Sequence, residues 1–195
     1  MVISTFLSDL FLSIVSLWIA SRFWALSSVA ARASFLGFGI IGISAGLGSL
    51  HFAGLTFHDP LYHFFVAMSG AVAVPLIGLA FFHLGIKSLS QNFFLIKVLS
   101  MTIGFLIFTY VFPFGLYQTI VGAVSMLVVI IVCLKKIGRE QKGALLGLLG
   151  AVLFIVAGLV IGTKGARGPI LNVDIFHVML AFANYALGTS IQRLK

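Results

Sequence analysis

Acidic residues are scarce in this chain, which has 4 Asp and Glu against 12 Lys and Arg among its 195 residues. All charged residues together make up 8% of the sequence, whereas hydrophobic residues make up 61%. A soluble domain typically carries about 25% charged residues to cover its surface. The composition therefore excludes a soluble globular enzyme and predicts an integral membrane protein.

Cysteine is also nearly absent. The single cysteine, Cys133, lies within an apolar run, so an intrachain disulfide framework is excluded.

The net charge of +8 could suggest nucleic acid, but the basic residues fall in short clusters between apolar runs. This pattern is typical of cytoplasmic loops. We expect membrane lipids as partners and no nucleic acid.

Seven apolar runs approach the length of about 20 residues that a membrane-spanning helix requires. They lack the alternation of polar and apolar residues that β-barrel strands show. The sequence therefore predicts an all-α, seven-helix transmembrane bundle forming one domain, 1–195. The predicted helices are 3–24, 34–57, 62–85, 93–113, 115–134, 143–162 and 170–192.

The positions of the basic residues predict the orientation of the bundle. In this topology Lys164 and Arg167 lie on one side of the membrane, and the other basic residues lie on the opposite side. Because cytoplasmic loops carry the excess of Lys and Arg, the N-terminus is predicted outside and the C-terminus in the cytoplasm. Short loops without a glycosylation sequon favour a bacterial inner membrane.

Four ionisable residues within the spans are predicted to lie at one depth. They are Asp9 in the first helix, His51 in the second, and Asp174 and His177 in the seventh. At ~1.5 Å per residue, all four fall roughly 5–12 Å from the outer boundary. Ionisable groups at such positions are costly and usually functional. We therefore predict one site between helices 1, 2 and 7.

Side-chain spacing supports this site. Asp174 and His177 are three residues apart and share a helix face, with Asn184 two turns further along. Ser16 extends the polar face that begins at Asp9. Small-xxx-small spacing, which lets helices pack closely, occurs in three glycine pairs: Gly42 and Gly46, Gly143 and Gly147, Gly158 and Gly162.

Imidazole and carboxylate groups gathered from several helices are typical zinc ligands. We predict zinc bound by His51, Asp174 and His177, with Asp9 as the catalytic general base. The simpler alternative is structural: Asp174 caps the start of its helix with His177 as its partner. His58, Asp59 and His63 flank the second loop and are predicted to be rim or substrate-side groups: "FHDPLYHF".

Three segments carry a resemblance to a known group: "LSDLFLS", "GSLHFAG" and "NVDIFHVMLAFANYALG". With seven helices, they resemble the CREST superfamily of alkaline ceramidases, adiponectin-receptor-like proteins and GPI-remodelling lipid hydrolases. The closest likeness is to an uncharacterised bacterial branch allied with that superfamily. The resemblance implies zinc between helices two and seven, and hydrolysis of an amide or ester in a lipid.

The superfamily pattern is only partly present. His51 matches the helix-two ligand, and His177 matches the second histidine of the helix-seven His-x-x-x-His motif. The first histidine of that motif falls at Val173, which cannot bind a metal, so Asp174 or Asp9 would have to replace it.

The superfamily's serine falls at Leu47, and Ser44 or Ser49 could serve only with a different helix geometry. These departures affect catalysis more than metal binding.

Other functions fit the same residues. A receptor, sensor or scaffold could use the metal site structurally, without turnover. A haem-binding redox protein would use His51 and His177 as axial ligands. Transport is disfavoured because the sequence shows neither an internal repeat nor a pair of broken helices.

Overall fold

The computed structural model describes residues 2–194 and contains seven helices, which confirms the all-α prediction. A hairpin of two short antiparallel strands, β1 (Ala166–Arg167) and β2 (Ile170–Leu171), precedes the last helix. The helices are α1 Ile3–Ser21, α2 Val29–Phe52, α3 Asp59–Gly85, α4 Gln91–Val111, α5 Tyr117–Lys136, α6 Gln141–Ile161 and α7 Asn172–Arg193.

Six of these helices, α1 to α6, are long and apolar enough to cross a membrane. Their outward faces carry large apolar side chains such as Leu95 and Leu99 on α4, which are 60% and 61% exposed. A continuous apolar exterior is unfavourable in water and suits a lipid environment. The fold is therefore compatible with a multi-pass membrane protein.

The start and end of α2 differ from the prediction of 34–57. The helix begins five residues earlier because Ser28 caps it, its hydroxyl accepting a hydrogen bond from the Ala31 N–H at 3.2 Å. It ends at Phe52, just before Gly54 turns the chain with a φ of 99°. His51 therefore lies in the last turn of α2. It is therefore closer to the end of its helix than the predicted bounds imply.

The helices form a ring. Helix α1 packs between α2 and α7, α6 packs against α7 and α5, and α3 connects α2 to α5. Helix α4 lies outside this ring and packs mainly on the middle of α3. Residues from distant parts of the chain, α1 and α7, thus become neighbours.

Close packing by glycine is confirmed for two of the three predicted pairs. A Cβ added at Gly42 would lie 2.7 Å from Leu17, and one at Gly147 would clash with the Cys133 sulfur. By contrast, a Cβ at Gly158 or Gly162 would meet nothing within 4 Å. The prediction that this last pair packs against a helix was wrong.

Three helices contain a π-helical segment: Ser69–Ala73 in α3, Ile107–Val111 in α4 and Val156–Ile161 in α6. In α3 the segment is followed by Pro75, which has no N–H to continue the α-helical hydrogen bonds. In α6 it ends at Gly162, whose φ is 67°. Such segments frequently occur at functional sites.

Candidate active site

Four polar side chains from α1 and α7 meet near one end of the bundle. We call Ser8, Asp9, Asp174 and His177 the dyad cluster. The Nδ1 atom of His177 lies 3.2 Å from Asp9 Oδ1 and 3.3 Å from Ser8 Oγ. The Ser8 hydroxyl is also within hydrogen-bond distance of Asp174 Oδ1, to which it can donate at 3.4 Å. Ser8 thus lies between Asp174 and His177, which the sequence predicted to share one face of α7.

The dyad cluster is buried. The side chains of Asp9 and His177 are 4% and 12% exposed. Two turns further along the same interface, the amide of Asn184 donates a hydrogen bond to Ser16 Oγ at 2.9 Å. The polar faces predicted on the first and last helices therefore face each other, and each satisfies polar groups of the other.

Within residues 2–194, one buried oxygen of the dyad cluster has no hydrogen-bond partner. Asp9 Oδ2 is buried and accepts no hydrogen bond from residues 2–194. It lies against Gly48 of α2, where an added Cβ would be 2.5 Å from that oxygen and 3.1 Å from Tyr62 Cε2. The carboxylate therefore fits here because residue 48 has no side chain. An unsatisfied buried carboxylate oxygen is costly unless a ligand or water completes it.

A cavity of about 790 Å³ opens beside the dyad cluster. Six helices line it, all except α4. Asp9, His177 and Tyr62 contribute polar atoms to its wall, and Gln118 and Thr119 add others from α5. The remaining wall is mostly apolar, with residues such as Leu12, Ile41, Val66, Met126, Phe154 and Leu180. Its volume and its few polar groups are typical of a small-molecule site.

A second polar cluster lies where α2 ends and α3 begins. His51 Nδ1 is 2.7 Å from Asp59 Oδ1, and the His51 ring stacks on Tyr62 at 5.0 Å between centroids. The ring of His63 lies 6.4 Å from that of His51. We call His51, Asp59, Tyr62 and His63 the loop cluster. Because Tyr62 also lines the cavity, the loop cluster supports one wall of the site.

His58 connects this loop to α2. Its Nε2 lies 3.0 Å from the carbonyl oxygen of Leu47, to which it can donate a hydrogen bond. Its other ring nitrogen is buried without a partner among residues 2–194. The contact closes the turn between α2 and α3. This geometry gives His58 a structural contact in addition to the rim position predicted from the sequence.

The predicted zinc ligands do not meet in this arrangement. Asp174 and His177 belong to the dyad cluster, whereas His51 points its Nδ1 at Asp59. Within residues 2–194, no group of three His, Cys, Asp or Glu side chains is arranged to hold a metal ion. The unpaired Asp9 oxygen beside His177 would suit a cation, but the full ligand set does not fit. Zinc stays a prediction.

The dyad cluster contains serine, histidine and aspartate but not the geometry of a serine-protease triad. In that triad the serine and the carboxylate contact opposite nitrogens of the imidazole. Here Ser8 and Asp9 both contact Nδ1 of His177. No hydrogen bond from residues 2–194 occupies Nε2, so that nitrogen is the one available to a ligand or water in the cavity. The arrangement suits a carboxylate–imidazole base rather than an activated serine.

Three residues of the site were missed by sequence reasoning. Ser8 precedes Asp9 directly, and Gly48 is one of many glycines in α2, so neither stands out in the sequence. Tyr62 is the first residue of the predicted third helix, and its stack on His51 depends on the turn at Gly54. The available signal was the polar Ser8 directly before Asp9.

The sequence matches a family described as "family of unknown function (DUF6962)" over residues 4–195, and the chain therefore belongs to that family. No curated protein matches the chain. No solved structure matches it either.

Proposed function

We propose that this protein is a membrane-embedded hydrolase that cleaves an amide or ester bond of a lipid held in the cavity. The observation that carries the proposal is the 3.2 Å contact between Asp9 Oδ1 and His177 Nδ1 in the cavity wall. A buried carboxylate beside one ring nitrogen leaves the other nitrogen as a base, which is the arrangement that general-base catalysis requires.

The proposed reaction uses water as the nucleophile. Nδ1 of His177 carries its proton within reach of Ser8 Oγ at 3.3 Å and Asp9 Oδ1 at 3.2 Å, so Nε2 accepts a proton from water in the cavity. The water oxygen bonds to the carbonyl carbon. The bond from that carbon to the leaving nitrogen or oxygen then breaks, its electron pair stays on the leaving atom, and the imidazolium returns the proton to that atom. The products are a carboxylic acid and an amine or alcohol. Asp9 orients the imidazole and stabilises its positive charge during this step.

Donors in the cavity wall supply the charge stabilisation that acyl transfer needs. The hydroxyl of Tyr62 and the side-chain amide of Gln118 can donate to the oxygen that becomes negative. The loop cluster positions Tyr62, because the His51 ring stacks on it and Asp59 fixes His51. His51 and Asp59 are thus positioning residues in this proposal. No step requires zinc.

The membrane arrangement is part of the proposal: seven spans, with the N-terminus outside and the C-terminus in the cytoplasm of a bacterium. Basic side chains at the end opposite the dyad cluster support this orientation. Arg22 contacts Gln192 at 3.3 Å, joining the ends of α1 and α7, and Arg32 contacts Gln91 at 3.2 Å, joining the starts of α2 and α4. Basic residues thus cluster at four helix ends on this side. The site would then lie toward the extracytoplasmic face.

The test is hydrolysis by purified protein in detergent micelles. The substrates are p-nitrophenyl palmitate as the ester probe and N-palmitoyl-p-nitroaniline as the amide probe. We expect release of p-nitrophenol or p-nitroaniline by the native chain and its loss in His177→Ala. Ser13→Ala is the matched control, because Ser13 is buried on α1 and donates to the Gly42 carbonyl but does not line the cavity.

Other outcomes would favour the rival functions. Saturable binding of both probes without turnover would contradict the hydrolase and favour a receptor or sensor. A Soret band in the purified protein would favour haem. Loss of both turnover and stoichiometric zinc after chelation would restore the metal mechanism implied by the CREST resemblance.

A further inference from the structure

The cavity wall formed by α5 and α6 contains two glycines beside open space. Gly122 of α5 and Gly158 of α6 both line the cavity, and a Cβ added at either would meet nothing within 4 Å. Gly158 is exposed and also lines the cavity. The side chains of Gln118 and Thr119 are likewise exposed and line the cavity. The cavity is therefore open to solvent along this wall.

The same two helices are tightly packed at their other end. There a Cβ at Gly147 of α6 would clash with the Cys133 sulfur of α5. The segment Val156–Ile161 packs mainly on α7 instead of α5. Helices α5 and α6 thus touch at the end away from the dyad cluster and separate beside it.

The segment of α6 at this gap is π-helical and ends at Gly162, whose positive φ of 67° breaks the helix. A π-helical turn replaces the regular hydrogen bonds of an α-helix and is often found where a helix serves a functional site. Leu159 and Val160 in this segment are each 62% exposed. The gap is therefore bordered on one side by apolar side chains suited to contact with lipid.

We infer that the gap between α5 and α6 is a lateral portal through which an acyl chain enters from the bilayer. The ligand is a long-chain amphiphile: its polar group lies at Asp9 and His177, and its chain passes between Gly122 and Gly158. The occupant is a lipid because the portal opens on the apolar flank of the bundle and leads to the polar groups of the cavity. The inference rests on the proposed function for the position of the polar group.

Photo-crosslinking locates the chain independently of hydrolysis. The full chain is reconstituted in nanodiscs of phosphatidylethanolamine and phosphatidylglycerol, with N-palmitoylethanolamine carrying a diazirine in the middle of its acyl chain. After irradiation, mass spectrometry maps the labelled residues. We expect labels concentrated in 118–123 and 154–163. Labels spread evenly over exposed apolar residues of the other helices, including α4, would overturn the portal.

Filling the portal provides the second measurement. Gly122→Leu and Gly158→Leu should each reduce labelling of these segments at least fivefold, because a leucine side chain would occupy the gap. Gly39→Leu is the matched control: it also places leucine at an open helical glycine, and residue 39 does not line the cavity. Thermal unfolding verifies that each variant folds. Equal labelling of the filled variants and the control would overturn the inference.

The two proposals fail in different ways. If the chain is not a hydrolase, the native protein is still labelled at the portal but does not release product from the nitrophenyl probes. If the portal is wrong, the leucine variants hydrolyse p-nitrophenyl palmitate as fast as the native protein and the labelled residues lie elsewhere.

Discussion

Asp9 of α1 and His177 of α7 lie at opposite ends of the chain, yet their Oδ1 and Nδ1 atoms are 3.2 Å apart in the wall of a large cavity. Ser8 contacts the same nitrogen of His177, and Gly48 of α2 leaves room for the second carboxylate oxygen. The pair therefore combines contact, burial and access to a ligand. The following predictions test these three properties.

Removing the base should abolish turnover without unfolding the protein. General-base catalysis contributes about 10²- to 10⁴-fold to a rate. We therefore expect His177→Gln to lower kcat on p-nitrophenyl palmitate by at least 10²-fold. Size-exclusion chromatography in detergent verifies the fold. A kcat within threefold of the native value would remove His177 from the mechanism.

Asp9→Asn tests the orientation of the imidazole. The amide has nearly the shape of the carboxylate but no negative charge, so it cannot stabilise the imidazolium that forms during proton transfer. We expect kcat to fall by about 10²-fold or more while the Kd of the uncleaved palmitoyl probe changes little. Equal losses in binding and turnover would indicate that Asp9 acts only as a ligand-binding group.

Gly48→Ala tests the space beside the dyad cluster. The new Cβ would lie 2.5 Å from Asp9 Oδ2, so the carboxylate must move, and overpacking of this kind typically costs about 1–3 kcal/mol. Gly39→Ala, on the same helix in open space, should instead stabilise the protein by about 0.5–1 kcal/mol. Denaturant unfolding measures both. Identical free energies of unfolding would contradict the close contact.

The loop cluster gives a prediction that distinguishes His51 as the partner of Asp59 from His51 as a zinc ligand. Because His51 contacts Asp59 and not the dyad cluster, His51→Ala should leave the metal content of purified protein unchanged. A double-mutant cycle with Asp59→Ala should give a coupling of about 0.2–1 kcal/mol, since both side chains are roughly 30% exposed. Loss of stoichiometric zinc in His51→Ala would instead support the ligand set predicted from sequence.

Much of the fold could be predicted because long apolar runs are strong signals. All seven runs correspond to helices, and the positions of Asp9 and His177 two turns or fewer from helix starts follow from those runs. The start of α2 could not be read from hydropathy, since it depends on the Ser28 cap and an alanine-rich turn. The end of α2 at Phe52, before the turn at Gly54, likewise could not be read from hydropathy, and it puts His51 in the last turn beside Asp59.

The part of the site that lies on a single helix could be predicted, whereas contacts between helices could not. Spacing on one helix is visible in the sequence, so Asp174 and His177 could be assigned to one face and both lie close to Ser8. Which residue of a distant helix contacts them depends on helix rotation and packing, which no single sequence determines. The open space at Gly158 illustrates the same limit, because glycine spacing alone does not distinguish a packed interface from a gap.

The packing of α7 against α1 has a consequence for how the protein is synthesised and assembled. The polar stripe of α1, which contains Ser8, Asp9 and Ser16, has several of its partners on α7, the last of these seven helices to leave the ribosome. During synthesis these groups must stay in contact with water or with the insertion machinery until α7 arrives. Assembly of the reactive pair therefore waits for α7, and a chain terminated before α7 would lack the pair.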